Sequence, residues 1–186
     1  CVTDEYWYSS TKSLQLWGQD WWSSVAQKKF SSDSKIIGFE AYILIESYSS
    51  KPGGSPIAAR IMFWNREGGT WGKGYAGIDF TYDGNITTKD IWAPTLGTWQ
   101  PKTWYKIRLI LNRSSNTFNV WINDKLVGEN ISVSPESQDT YNINSLALFS
   151  DHAGVKVYFD DVKVFEVRQM LPELAELLSK LKQAKD

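Results

Sequence analysis

At 186 residues the chain has room for one well-cored domain, and its 20 Lys plus Arg nearly cancel its 21 Asp plus Glu. A formal net charge of −1 excludes the basic field that nucleic acid or an anionic membrane needs. The single cysteine, Cys1, excludes an internal disulfide.

Cys1 reads either as the lipid-bearing first residue of a processed lipoprotein or as a fragment boundary. The second reading is plainer, because lipoproteins usually place a polar spacer after the Cys, and here patterned sequence begins almost at once. No signal peptide opens the sequence, so an exported protein would already have lost it. The longest apolar run, Ala41 to Ile45, falls far short of the ~20 residues of a membrane span. Sequons at Asn85, Asn112 and Asn130 sit beside turns and agree with export.

From Ser13 to about Val167 the hydrophobic period is two. Ser13 to Trp17 and Ala26 to Phe30 are short strand candidates. Ile36 to Ser47 places Ile37, Phe39, Ala41, Ile43 and Ile45 on one face, with Glu40, Tyr42, Leu44 and Glu46 on the other. Ala58 to Trp64 alternates Ala59, Ile61 and Phe63 against Arg60, Met62 and Trp64. A glycine-rich loop follows, carrying Asn65, Arg66 and Trp71. Tyr75 to Tyr82 sets Ala76, Ile78 and Phe80 inward, with Tyr75, Gly77, Asp79 and Thr81 outward. Ile86 to Trp92 is a further short strand.

Trp104 to Leu111 turns Tyr105, Ile107, Leu109 and Leu111 one way, and Trp104, Lys106, Arg108 and Ile110 the other. A hairpin then turns at Asn123-Asp124, residues that tolerate positive φ. Ser145 to Phe149 and Val155 to Val167 are the last strands, joined through a turn holding His152, the only histidine. About nine to eleven short antiparallel strands predict an all-β sandwich of jelly-roll type over residues 1–168.

Residues 169–186 change character. Leu171, Leu174, Leu178 and Leu181 follow a 3-4-3 spacing, with Pro172 and Glu173 early and Lys180, Lys182 and Lys185 late. This predicts a C-terminal amphipathic α-helix. It packs on the sandwich, pairs with another copy, or begins a further region.

Several passages resemble laminin-G-like and concanavalin-A-like lectin/glucanase domains. They are WYKIRLILNRSSNTFNVWINDKLVG (Trp104 to Gly128), YFDDVKVF (Tyr158 to Phe165) and YSSTKSLQLW (Tyr8 to Trp17). The resemblance covers most of residues 8–166 and implies the jelly roll. In such families a first strand precedes the SLQL strand, so here it is short, missing or replaced. The resemblance also implies that Asp160 and Asp161 match an acidic pair that can help hold a structural Ca²⁺, which takes oxygen ligands. The plainer reading of that pair is one exposed acid beside one that hydrogen-bonds a neighbouring loop.

The paired carboxylates of the related glucanases are absent. Glu40 and Glu46 share a face but lie ~20 Å apart at about 3.3 Å per residue, whereas retention needs about 5–5.5 Å. With one His and one Cys, a Ser-His-Asp set or a zinc site is not supported, so the chain is read as a non-enzyme.

Ten Trp, nine Tyr and eight Phe favour binding, because sugars stack their C–H faces on rings and give their hydroxyls to planar polar groups. The candidate ligand residues are Tyr42, Arg60, Trp64, Asn65, Trp71, Tyr75, Asp79 and Trp92. Trp21, Trp22 and Trp99 serve equally well as plugs between sheets. The expected function is extracellular or cell-surface recognition of a glycan. The alternative is an adhesion or assembly module that meets a protein, or its own copies, through the tail or an open strand edge.

Overall fold

The computed structural model describes residues 1–18, 23–48, 56–68, 72–88, 95–134, 137–151 and 154–167. Thirteen strands run β1 (Val2–Thr3), β2 (Ser13–Trp17), β3 (Ser24–Lys29), β4 (Ile36–Ile45), β5 (Ile57–Asn65), β6 (Lys73–Thr81), β7 (Asn85–Thr88), β8 (Gly97–Thr98), β9 (Tyr105–Asn112), β10 (Thr117–Ile122), β11 (Lys125–Ser132), β12 (Ser145–Ser150) and β13 (Lys156–Glu166). They form a larger sheet ordered β1-β2-β13-β4-β9-β10-β11 and a smaller sheet ordered β3-β12-β5-β6-β7-β8. All of the pairings are antiparallel.

The expected strands are present, the one over 86–92 as far as Thr88 with its remainder outside the described residues, and β1 and β8 are additional. Each holds two residues, too few to show a period. Val2 and Thr3 pair with Leu14 and Ser13, so a short strand does precede SLQL. The proposed tail helix, 169–186, lies outside the described residues.

The alternation works because each sheet buries one face against the other. Ile37, Phe39, Ala41 and Ile43 of β4, Ile107, Leu109 and Leu111 of β9, and Ile61 and Phe63 of β5 are essentially inaccessible. Phe39 meets Phe63 edge to face across the two sheets, with ring centroids 5.3 Å apart. The hairpin turns as expected, with Asn123 at φ 50° and Asp124 at φ 64°. The pairing of β10 with β11 is irregular from Phe118 to Trp121, and Asn130 sits at φ 52°.

Trp99 resolves in favour of a plug. It is 1% exposed and joins the core. Its indole N–H donates to the Thr81 carbonyl at 2.9 Å, and its own carbonyl accepts the Tyr48 hydroxyl at 3.0 Å. Arg113 pins the region at residues 32–34 and 140–141. Its buried guanidinium donates to the carbonyls of Ser32, Ser34, Thr140 and Tyr141.

Trp99→Ala empties a ring-sized volume and should cost about 3–5 kcal/mol in urea unfolding. Trp99→Phe keeps most of the packing and removes the indole donor from the Thr81 carbonyl, which still accepts the Gly84 N–H, for a smaller loss of about 1 kcal/mol. Equal, negligible losses in both would show that the ring is not a plug.

Candidate functional site

Strand register gathers the chemistry on the outer face of the smaller sheet. One row across it reads Val25, Phe149, Arg60, Asp79, Thr87. The next reads Gln27, Ala147, Met62, Gly77. Arg60 donates to both carboxylate oxygens of Asp79 at 2.6 and 2.8 Å. Asp79 is fully buried, and 19% of the Arg60 side chain remains open. A carboxylate this deep is tolerated because the guanidinium fork satisfies both oxygens.

Beside the pair lies an apolar patch of Met62, Trp64, Ala147 and Phe149. Trp64 is a floor here and does not stand up as an exposed platform. It is 7% exposed, and a Cβ on Gly72 would sit 2.3–2.6 Å from its ring. Gly72 has φ +66°, so close backbone approach and backbone conformation both require glycine. The indole Nε1 of Trp64, Thr87 Oγ1 and Gln27 Nε2 are buried with no hydrogen-bond partner among the described residues, and all three residues belong to this face. Unpaired buried polar atoms are uncommon, and three on one sheet face mark it out.

Other candidates fall elsewhere. Tyr75 was expected outward, but a bulge between Met62 and Trp64 sets Tyr75 and Ala76 together against Phe63 and turns Tyr75 into the core. Its phenol is pushed up to about 12 by burial and by Asp139. Tyr42 was expected to converge with Arg60. It is on the larger sheet instead, stacked on Tyr8 with centroids 3.7 Å apart. The Asn65 amide donates to the Asn142 carbonyl at 2.6 Å and accepts the Glu67 N–H at 2.8 Å, so it ties loops together. Trp71, Trp92 and His152 lie outside the described residues.

Asp160 holds backbone. Its carboxylate accepts the N–H groups of Tyr8 at 2.9 Å, Ser9 at 3.1 Å and Asp161 at 2.8 Å. It thereby fastens the N-terminal segment across the larger sheet, where Tyr6 covers the buried Tyr158. Asp161 takes φ 47° at the neighbouring bulge. Among the described residues no three His, Cys, Asp or Glu side chains gather as a metal-holding group. The sequence reading missed Thr87, Gln27, Phe149 and Tyr8. Alternation points Thr87 outward, but only the register brings it beside Asp79.

No protein-family model matches the sequence, and no curated protein matches it. Among solved structures, a sialidase superposes with TM-score 0.62 at 12% identity, over 89% of this chain and 17% of the sialidase. The chain therefore spans under a fifth of that protein. The carbohydrate recognition domain of Emp46p gives 0.54 at 11% identity, over 90% of this chain and 88% of that one. Sheep galectin-11 gives 0.51 at 13% identity, over 75% and 96%. The fold is the concanavalin-A-like jelly roll. An alginate lyase from Pseudomonas aeruginosa shares it, with TM-score 0.51 at 14% identity over 78% of this chain and 75% of the lyase. Jelly rolls of this kind therefore include enzymes as well as lectins, and function has to be argued from side chains.

Burial works against ionisation of Asp160, and the N–H groups of Tyr8, Ser9 and Asp161 outweigh it, leaving its carboxyl below the usual range. A lowered folded-state pKa adds stability above the ordinary carboxylate value of 3.8 that is lost as pH falls through the folded value. Asp160→Ala should therefore lower the Tm at pH 7, by about 1–3 kcal/mol of stability. It should also speed proteolysis within residues 4–12, and its gap to wild type should narrow in acid. A gap independent of pH would show that the charge of Asp160 is not what fastens the segment.

Proposed function

We propose that the protein is a non-catalytic carbohydrate-binding module acting outside the cell or at its surface. Its saccharide would lie on the outer face of the smaller sheet. The observation that carries this reading is the forked Arg60–Asp79 pair beside the Met62, Trp64 and Phe149 patch, on a face that leaves the Trp64 and Thr87 donors without partners. A sugar ring needs this combination: an apolar floor for its C–H face and planar, pre-oriented donors and acceptors for its hydroxyls. Trp71 and Trp92 join the proposal as the aromatic residues of the connections that follow β5 and β7. The one carboxylate in the two rows is Asp79, already ion-paired, which argues against a two-carboxylate hydrolase at this face. The carbohydrate-recognition fold of Emp46p and the galectin fold support the same class.

Native electrophoresis through gels holding soluble polysaccharides, with and without calcium, tests this directly. Retardation by one or two polymers is expected. Loss of retardation on chelation would support a structural calcium near Asp160. Uniform mobility in every gel would overturn the reading and favour an assembly module. Trp71→Ala should weaken the retained interaction by about 1–3 kcal/mol. Trp64→Phe keeps an aromatic floor and removes the Nε1 donor together with part of the ring. Stability should fall only through that lost packing, while affinity falls by about 1 kcal/mol. Unchanged affinity in both variants would displace the site.

A further inference from the structure

We propose that the outer face of the larger sheet is a second saccharide surface, which takes an extended, uncharged polysaccharide chain along β4 and β9. This rests on the carbohydrate-binding reading and adds a site on the opposite side of the sandwich.

Register lays out the face in rows: Ile36–Asn112–Thr117, Gly38–Ile110–Asn119, Glu40–Arg108–Trp121 and Tyr42–Lys106. Ile36 to Tyr42 covers about 20 Å at about 3.3 Å per residue, long enough for several sugar rings in line.

At one end a trough of about 420 Å³ has Ile36 and Ile110 in its lining, together with Asn112, Thr117 and Asn119. The Asn112 carboxamide oxygen accepts the N–H groups of Ser114 at 3.0 Å and Ser115 at 3.3 Å. The Asn119 oxygen accepts the N–H of Asn130 at 2.7 Å. With its oxygen engaged by backbone, the Asn119 amide is fixed in orientation and its NH₂ is the group turned to meet a hydroxyl.

At the other end Tyr8 stacks on Tyr42 and meets the Trp104 edge, with centroids 6.1 Å apart. Tyr8 is 48% exposed, and Asp160 grips the backbone beneath it. A half-open ring already held on its far side loses little freedom when a sugar stacks on it. Between the two ends, Arg108 donates twice to Glu40 at 2.9 and 2.6 Å, and Lys106 donates to Asp124 at 2.8 Å. The Glu40–Arg108 and Lys106–Asp124 pairs cancel, and Lys163, opposite Glu40 on β13, leaves the face one cation in excess, short of the clustered positive field a polyanion would seek.

Two sites on opposite faces would make the chain a cross-linker. The probes are soluble β-glucan, arabinogalactan and fructan, with alginate as the polyanion. Wild type should raise light scattering when mixed with a retained uncharged polymer. Tyr8→Ala, and Asn119→Asp, which keeps the oxygen for the Asn130 N–H and removes the NH₂, should each abolish the scattering. In a Trp71→Ala background each should weaken retention about tenfold, with thermal unfolding confirming that the variants fold. If both variants scatter and bind as wild type does, the second surface is overturned and the first site stands. If wild type binds no polymer at all, both proposals fall. Retention by alginate alone overturns the uncharged class. Self-association in sedimentation velocity that Trp104→Ala removes would make the face a contact between copies and also overturn it.

Discussion

The burial of one sheet's apolar face against the other's is the constraint from which the remaining features follow. Phe39 against Phe63, with Ile43, Ile61, Ile107 and Leu109 around them, removes from water the surface that drives folding. Once those faces are committed, each strand has only its alternate side chains left for anything else. The chemistry must therefore appear on the two outer faces or at the ends of the sandwich. At one end Trp99 fills the gap, and near Arg113 the guanidinium is satisfied by four carbonyls. The outer faces are left with forked ion pairs, rings and amides.

Those outer faces share one electrostatic pattern. Arg60 with Asp79 and Arg108 with Glu40 are both guanidinium forks laid flat on a sheet between neighbouring strands. The first is buried at its acid end, and the second has its arginine 39% open. Cross-strand pairs of this kind hold strands in register at little cost where water still reaches them, while a dry one must be complete to be tolerated. Charges spent on one another in this way leave little long-range attraction.

Much of this was legible in the sequence because a period of two is a strong local signal. The two faces of β4, β5 and β9, and the Asn123-Asp124 hairpin, could be read directly. What could not be read were the relations between distant segments. Alternation assigns Tyr42 and Arg60 to outward faces but says nothing about which sheet each belongs to, and they lie on opposite sides. Tyr75 failed because one extra residue in β6 reverses the side a ring points to. Asp160 looked like a metal or loop acid. Its main partners, the N–H groups of Tyr8 and Ser9, are about 150 positions away in the chain, where no motif links them. Of the candidate ligand residues, Arg60, Asp79 and Trp64 lie on one face of the smaller sheet, which alternation along β5 and β6 allowed.

The irregular pairing of β10 with β11 has a consequence for crowded conditions. β11 is the outermost strand on its side, and a straight outermost strand invites another chain to zip onto it. Here the left-handed backbone at Asn130 and the register break opposite Val120 spoil the even spacing of free N–H and carbonyl groups. Lys125 and Glu129 add charge along the same edge. Packed densely on a surface or joined in tandem, such domains would not zip together through this edge.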